Sequence, residues 1–142
     1  MQNSQVQIRQ YIMMNNTEFL IHYRELRVYQ AAMAAAMQVF LLCQSFPIEE
    51  RDRLAYPLID ATRLICLSIA RSWQRRRYGS AFVAQLNRAE AEAAATQVWI
   101  ELAVLCDYLD AETGQELHHQ YQEVLQDLKR LIHHAAAWTI AS

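Results

Sequence analysis

The chain has 142 residues but only two glycines and two prolines. These residues punctuate structure, so their scarcity excludes an architecture of many short elements joined by tight turns. Cysteine is scarce too: Cys43, Cys66 and Cys106 form an odd, widely spaced set with no C-x-x-C. That excludes a disulfide framework and a zinc site, and it predicts buried free thiols in a reducing cytoplasm. Apolar residues reach 54%, yet no run approaches the roughly eighteen uninterrupted apolar residues of a transmembrane helix, so no membrane association is expected. Neither charge dominates. Thirteen basic against fifteen acidic residues give a formal charge of −2, which rules out a globally basic nucleic-acid binder but leaves room for a local patch. The N-terminal "MQNSQVQIRQYIMMNN" lacks the basic segment, apolar core and cleavage site of a secretory signal.

What is abundant is Ala, Leu, Gln, Arg and Glu, the composition of long helices. The length suits one domain with a single core. A first helix is expected from near Thr17, capped by Asn16 or Thr17, with Leu26, Tyr29, Met33, Ala36, Phe40 and Cys43 on its inner stripe. It should stop at "QSFP", because proline disfavours helical geometry in the residue before it. A second helix is expected over 48–78, with Leu54, Leu58, Ala61, Leu64 or Ile65, Ser68 and Ser72 inward and a bend at Pro57. After "YGS", with Ser80 as cap, a third helix covers 81–109. It turns Phe82, Leu86, Ala89, Ala93, Thr96, Ile100 and Ala103 inward. A fourth covers 112–137, with Leu117, Tyr121, Val124, Leu128, Leu131, Ala135 and Trp138 inward. Four such helices, each about 40 Å long and joined by short turns, predict an all-α, antiparallel up-down-up-down four-helix bundle over residues 17–142. Residues 1–16, with Tyr11, Met13 and Met14, form a tail or a docking arm.

Apolar residues exceed one stripe per helix. Val98, Leu102, Leu105 and Leu109 make a second face on the third helix, and Leu67 with Trp73 lies off the inner face of the second. This surplus predicts burial between subunits.

The stretch "ELRVYQAAMAAAMQVFLLCQSFPIEERDRL" resembles the four-helix-bundle proteins encoded in intervening sequences of bacterial large-subunit ribosomal RNA genes. Leu26, Val28, Tyr29, Gln30 and Ala32 carry the likeness, with Phe46, Pro47, Glu50 and Arg51 in the first turn. Ile69-Ala70 falls where the family has Asn-Ile-Ala-Glu-Gly, and Thr96, Gln97, Tyr108 and Leu109 resemble its Thr-Gln-Leu and Gly-Tyr-Leu stretches. Ser68, Arg71 and Ser72 replace that motif's Asn, Glu and Gly, and Asp60 falls where the family usually has Arg. The chain therefore looks like a divergent member. The resemblance implies a ring-forming bundle, commonly a pentamer, without enzymatic activity. It also implies kinship with accessory proteins of diversity-generating retroelements, which partner a reverse transcriptase and bind nucleic acid.

"RSWQRRRYGS" puts Arg71, Arg75, Arg76 and Arg77 beside Trp73 and Tyr78. With Arg63 and Arg88 they could gather at one end of the bundle, where arginine and aromatic side chains suit phosphate and base stacking. The competing explanations are helix-end cations favoured by the dipole, or pairing with a neighbour's Glu90 and Glu92. His119 and Glu123 lie four apart but lack a recognisable third ligand, so no metal is expected. No strained nucleophile turn, phosphate-cradling loop or facing carboxylate pair is present, so neither an enzyme nor a cofactor is expected. The expectation is a cytoplasmic, self-assembling interaction module that binds another protein. The alternative is an oligomeric nucleic-acid-binding accessory factor acting through Arg71–Arg77.

Overall fold

Alanine-rich, glycine-poor sequence makes long helices, and a computed structural model of the chain, which describes residue 7 and residues 23–139, carries four of them. They are α1 (Arg27–Cys43), α2 (Tyr56–Gln74), α3 (Gly79–Leu105) and α4 (Ala111–His133), followed by the short α5 (Ala135–Trp138). Among the described residues there is no strand. α1 packs on α2 and α4, α2 on α3, and α3 on α4.

The start expected near Thr17, the helical caps there and most of the 1–16 segment lie outside the described residues. Within them, a single 3-10 turn (Tyr23–Glu25) and an extended Leu26 (φ −67, ψ 125) precede α1. The buried stripe of α1 is Val28, Ala32, Ala35, Val39 and Cys43. This corrects the expected stripe: Tyr29, Met33, Ala36 and Phe40 lie one residue on, about 100° round the helix, and are half-buried along its flank. Both stripes of α1 are apolar, so periodicity could not choose between them. Packing chose the stripe with fully buried Ala32 and Ala35, which let neighbouring helices approach closely.

The segment before Pro57 is not regular α-helix. Pro47 opens a 3-10 turn (Ile48–Glu50), a π-helical turn follows (Arg51–Ala55), and α2 then starts with Pro57 in its first turn. Tyr56 N–H donates to the Arg51 carbonyl five residues back. The missing proline donor thus falls at a helix start, where it costs least. Leu54, Leu58, Ala61, Ile65, Ser68 and Ser72 are buried as expected, with Ile65 rather than Leu64 in the core.

In α3 all seven residues expected inward are buried. Its start differs from expectation: Tyr78, extended and without a side-chain cap, precedes Gly79, so Ser80 lies inside the helix. Its end is a Schellman turn. Tyr108 N–H donates to the Ala103 carbonyl (2.9 Å) and Asp107 N–H to that of Val104 (2.9 Å), with Asp107 at φ 63. A left-handed residue with a Cβ is strained, so Asp107→Gly is expected to raise stability by about 1 kcal/mol, read from the urea midpoint.

Asp110 caps α4, its carboxylate accepting from Thr113 N–H at 2.7 Å. That bond holds the Asp110 carboxyl below the usual carboxylate range. α4 buries Leu117, Tyr121, Val124, Leu125 and Leu128, then breaks at His134 (φ −105, ψ 29) rather than running to Ala137. Side-chain amides tie the helices together. Gln120 Nε2 donates to Gln38 Oε1 (3.0 Å), and Gln97 Nε2 donates to Gln122 Oε1 (3.1 Å).

Tyr121 sits at the centre of the core, fully buried, and its hydroxyl has no partner among the described residues. Burial pushes its pKa well above the ordinary phenol value. An unpaired buried hydroxyl costs about 1–3 kcal/mol in desolvation. Tyr121→Phe is therefore expected to be neutral or to stabilise by about 1 kcal/mol, and a loss above that size in urea denaturation would contradict the unpaired hydroxyl.

Candidate functional site

The arginine-rich stretch is not one continuous helical face. α2 ends at Gln74, and Arg75 (φ −106, ψ 12) opens a turn through Tyr78. Arg75, Arg76 and Arg77 therefore sit in the turn, where Tyr78 N–H donates to the Arg75 carbonyl (3.0 Å), and only Arg71 lies on the last turn of α2. Arg71, Arg75 and Arg77 are exposed. Arg76 is half-buried, its guanidinium 4.0 Å from the Trp73 ring centroid.

Trp73, expected on an outward interface, is instead 6% exposed. Trp138 packs against it from α5, after the break at His134, with ring centroids 5.5 Å apart and the rings tilted by 59°. The sequence shows no contact between positions 73 and 138, so the indole reads as surplus. Arg63 does not join the turn. It lies eleven residues before the end of α2, about 16 Å along the axis, with its guanidinium 5.9 Å from the Phe40 ring. Arg88 is exposed on the third turn of α3, similarly displaced.

Cations that sequence reading passed over complete the cluster. Arg27 Nη2, on the first turn of α1, lies 3.6 Å from Asp127 Oδ1, and Arg130 pairs with the same carboxylate. Both arginines are largely exposed. Arg27 and Arg130 also flank a hollow of about 470 Å³ walled by Leu26, Val28, Leu131 and Trp138. Trp138 touches Trp73 and Arg76 covers Trp73, so these contacts bring the start of α1, the end of α4 and the α2–α3 turn to one pole. Exposed Lys129 on α4 lies beside them in sequence. Periodicity gave no signal here, because positions 27 and 130 meet only through tertiary packing.

The opposite pole is acidic. Phe46 and Tyr108 pack with ring centroids 5.6 Å apart, joining the turn after α1 to the turn after α3. A hydrogen bond to Glu50 raises the Tyr108 pKa, with Glu49 adding to the shift. Asp107, Asp110 and Glu112 are exposed nearby in sequence. Leu109, expected on an interface, is buried in this junction at 8% exposure. The Schellman turn ends α3 at Leu105 and folds Leu109 inward.

Leu67, Val98, Leu102 and Leu105 are exposed, as expected of surfaces free within one chain. Leu67 adjoins an apolar groove of about 410 Å³ between α1 and α2, lined by Tyr29, Met33, Met37 and Phe40, with Arg63 at its edge.

The cysteines divide. Burial pushes the Cys43 thiol up to about 11 and the Cys66 thiol to about 12, so both stay protonated at neutral pH. Cys106, expected to be buried, is exposed, because it follows the last residue of α3 in the turn. His119 Nε2 lies 3.0 Å from Glu123 Oε1 and His118 Nε2 lies 3.6 Å from Glu101 Oε1. Among the described residues no group of three ligating side chains could hold a metal ion, and no helix is long and apolar enough to cross a membrane.

The fold and these surfaces define an all-α protein of four packed long helices. Residues 24–130 match the model of the 23S rRNA-intervening sequence protein family, and the chain belongs to that family. A crystal structure of a protein with unknown function from the S23 ribosomal protein family of Bacteroides thetaiotaomicron VPI-5482 has a similar fold. Its TM-score is 0.67 at 21% identity, covering 74% of this chain and 94% of that one. No curated protein matches the chain. The departures from the family motif fall in unlike places. Ser68 and Ser72 are buried, the latter donating to the Ile69 carbonyl at 2.6 Å, whereas Asp60 and Arg71 face solvent.

Proposed function

We propose that the protein is a non-enzymatic, cytoplasmic interaction module. Its four helices form an antiparallel up-down-up-down bundle that assembles side by side into a ring-shaped homo-oligomer, a pentamer being favoured, and binds another protein. The exposed Val98 and Leu102 carry this reading: α3 already buries seven inward residues, so a second apolar face serves no purpose within one chain. The α1–α2 groove beside Leu67 is a different surface from the α3 ridge. Contacts between unlike surfaces do not make two-fold dimers, and they close into a ring when the rotation from copy to copy closes. Val98→Asp/Leu102→Asp is expected to reduce the assembly to monomers in light scattering while leaving the helical circular dichroism intact. An unchanged mass would reject this face.

A second reading is an oligomeric nucleic-acid-binding accessory factor, associated with RNA or a reverse transcriptase and using Arg71–Arg77. The concentration of cations at one pole favours it, since a ring would repeat that pole around its axis and add avidity. Phosphate contacts weaken steeply with salt. Binding of a short mixed-sequence RNA at low salt that disappears in Arg75→Ala/Arg76→Ala would support this reading, and indifference to RNA would remove it.

A further inference from the structure

The near-neutral formal charge conceals a polarised molecule. One pole gathers Arg71, Arg75, Arg76 and Arg77 with Arg27, Lys129 and Arg130, against Glu25 and Asp127 among the described residues. The other carries Glu49, Glu50 and Asp52 before α2 and Asp107, Asp110 and Glu112 between α3 and α4, against Arg51 and Arg53.

The poles also differ in shape. The basic one holds the hollow of about 470 Å³ with Leu131 and Trp138 in its wall and Arg27 and Arg130 at its edge, where Glu25 and Asp127 also line it and Asp127 pairs with both arginines. At the acidic pole Leu105 is 80% exposed and Ile48 67% exposed, the two highest values among the large exposed apolar side chains. Leu105 stands two residues before Asp107, and Ile48 stands next to Glu49.

We propose that the acidic pole of one copy docks on the basic pole of the next. Leu105 enters the hollow, and Asp107 and Glu49 face Arg27 and Arg130. The proposal rests on the reading that the chain self-associates; Leu105 continues the α3 stripe of Val98 and Leu102, whereas Arg27, Arg130 and the hollow between them lie apart from that stripe and from Leu67. The apolar hollow favours a second copy over a polyanion. Nucleic acid has no aliphatic side chain to fill it, and Trp73, the indole set among the arginines, is buried between Arg76 and Trp138, which leaves Tyr78, 64% exposed, as the aromatic beside them that is open to a base. The two poles are unlike, so the contact propagates head to tail. Its charged part fades with salt as the screening length falls from about 10 Å at 0.1 M to about 3 Å at 1 M.

The test is sedimentation velocity on the full chain over a concentration series at 50 mM and 500 mM salt, with circular dichroism to confirm folding. Species heavier than the lateral assembly are expected at low salt, with their apparent affinity falling at least about tenfold at high salt. Arg27→Glu/Arg130→Glu and Leu105→Lys should each abolish them. Mixed in equal amounts, the two variants should restore a single end-to-end contact, because the first keeps its acidic pole and the second its basic pole. Heavier species unaffected by salt or by either variant would overturn the proposal, as would a mixture that fails to pair. Uptake of a mixed-sequence RNA at low salt without any end-to-end species would also overturn it, and would assign the basic pole to a polyanion. The same measurements on Val98→Asp/Leu102→Asp separate the two readings. Loss of lateral assembly with the salt-sensitive contact retained supports both. A lateral mass indifferent to that variant removes only the ring face.

Discussion

Trp73→Ala is expected to lower the stability of the folded chain by about 3–4 kcal/mol, the usual cost of truncating a buried tryptophan. The indole is buried between Arg76, 4.0 Å from its centroid, and Trp138, 5.5 Å away. Removing it opens a cavity, exposes the inner side of α5 and releases the guanidinium stacked on the ring. A half-buried cation over an aromatic ring contributes about 1 kcal/mol. Trp73→Phe keeps the aromatic face and should recover more than half of the loss. The check is the urea midpoint at unchanged slope, together with near-ultraviolet circular dichroism for the coupled indoles. A Trp73→Ala variant within about 1 kcal/mol of the parent would mean that Trp73 is a surface residue after all. The expectation of Trp73 as an interface residue would then return.

Gly114→Ala is expected to destabilise by about 1–3 kcal/mol, opposite in sign to the usual effect in a helix. Gly114 is buried on the first turn of α4, and helix propensity alone would favour alanine there by about 1 kcal/mol. Space decides against it. A Cβ at Gly114 would lie 2.3 Å from Val104 Cγ2 and 4.0 Å from Ile100 Cγ2. A valine in a helix holds one strongly preferred rotamer, so the methyl cannot swing away without cost, and α3 and α4 would have to separate. The partner mutation isolates the cause. In a Val104→Ala background, Gly114→Ala should become neutral or stabilising, a coupling of at least about 1 kcal/mol in a double-mutant cycle. Equal effects in both backgrounds would show that the close approach does not control this position.

Inner faces were readable where polar residues bracket the apolar stripe. All seven inward residues of α3 follow from their spacing, and Leu117, Tyr121, Val124 and Leu128 of α4 do likewise. On α1 the expected stripe holds at its two ends, Leu26 and Cys43, but between them the buried residues are one position earlier than Tyr29, Met33, Ala36 and Phe40, because two adjacent stripes are both apolar and the choice is made by how closely neighbouring helices approach. Pro57 was visible but its consequence was not, since a π-helical turn is a tertiary accommodation without a local signature. The candidate surfaces were legible in part. Leu67, Val98, Leu102 and Leu105 are exposed, whereas Trp73 and Leu109 became core through contacts with Trp138 and the Phe46–Tyr108 junction. The pairing of Arg27 with Asp127, a hundred residues apart, lay beyond any local pattern, and with it the polarity of the whole charge distribution.

Self-assembly through the outer face of α3 is the central claim, and mass in solution tests it most directly. Light scattering on the full chain at 500 mM salt, where end-to-end contacts are screened, should give one discrete multiple of the 16.5 kDa protomer. In Val98→Asp/Leu102→Asp the same measurement should give the protomer mass alone. A parent chain that scatters as a 16.5 kDa monomer at every concentration would contradict the account.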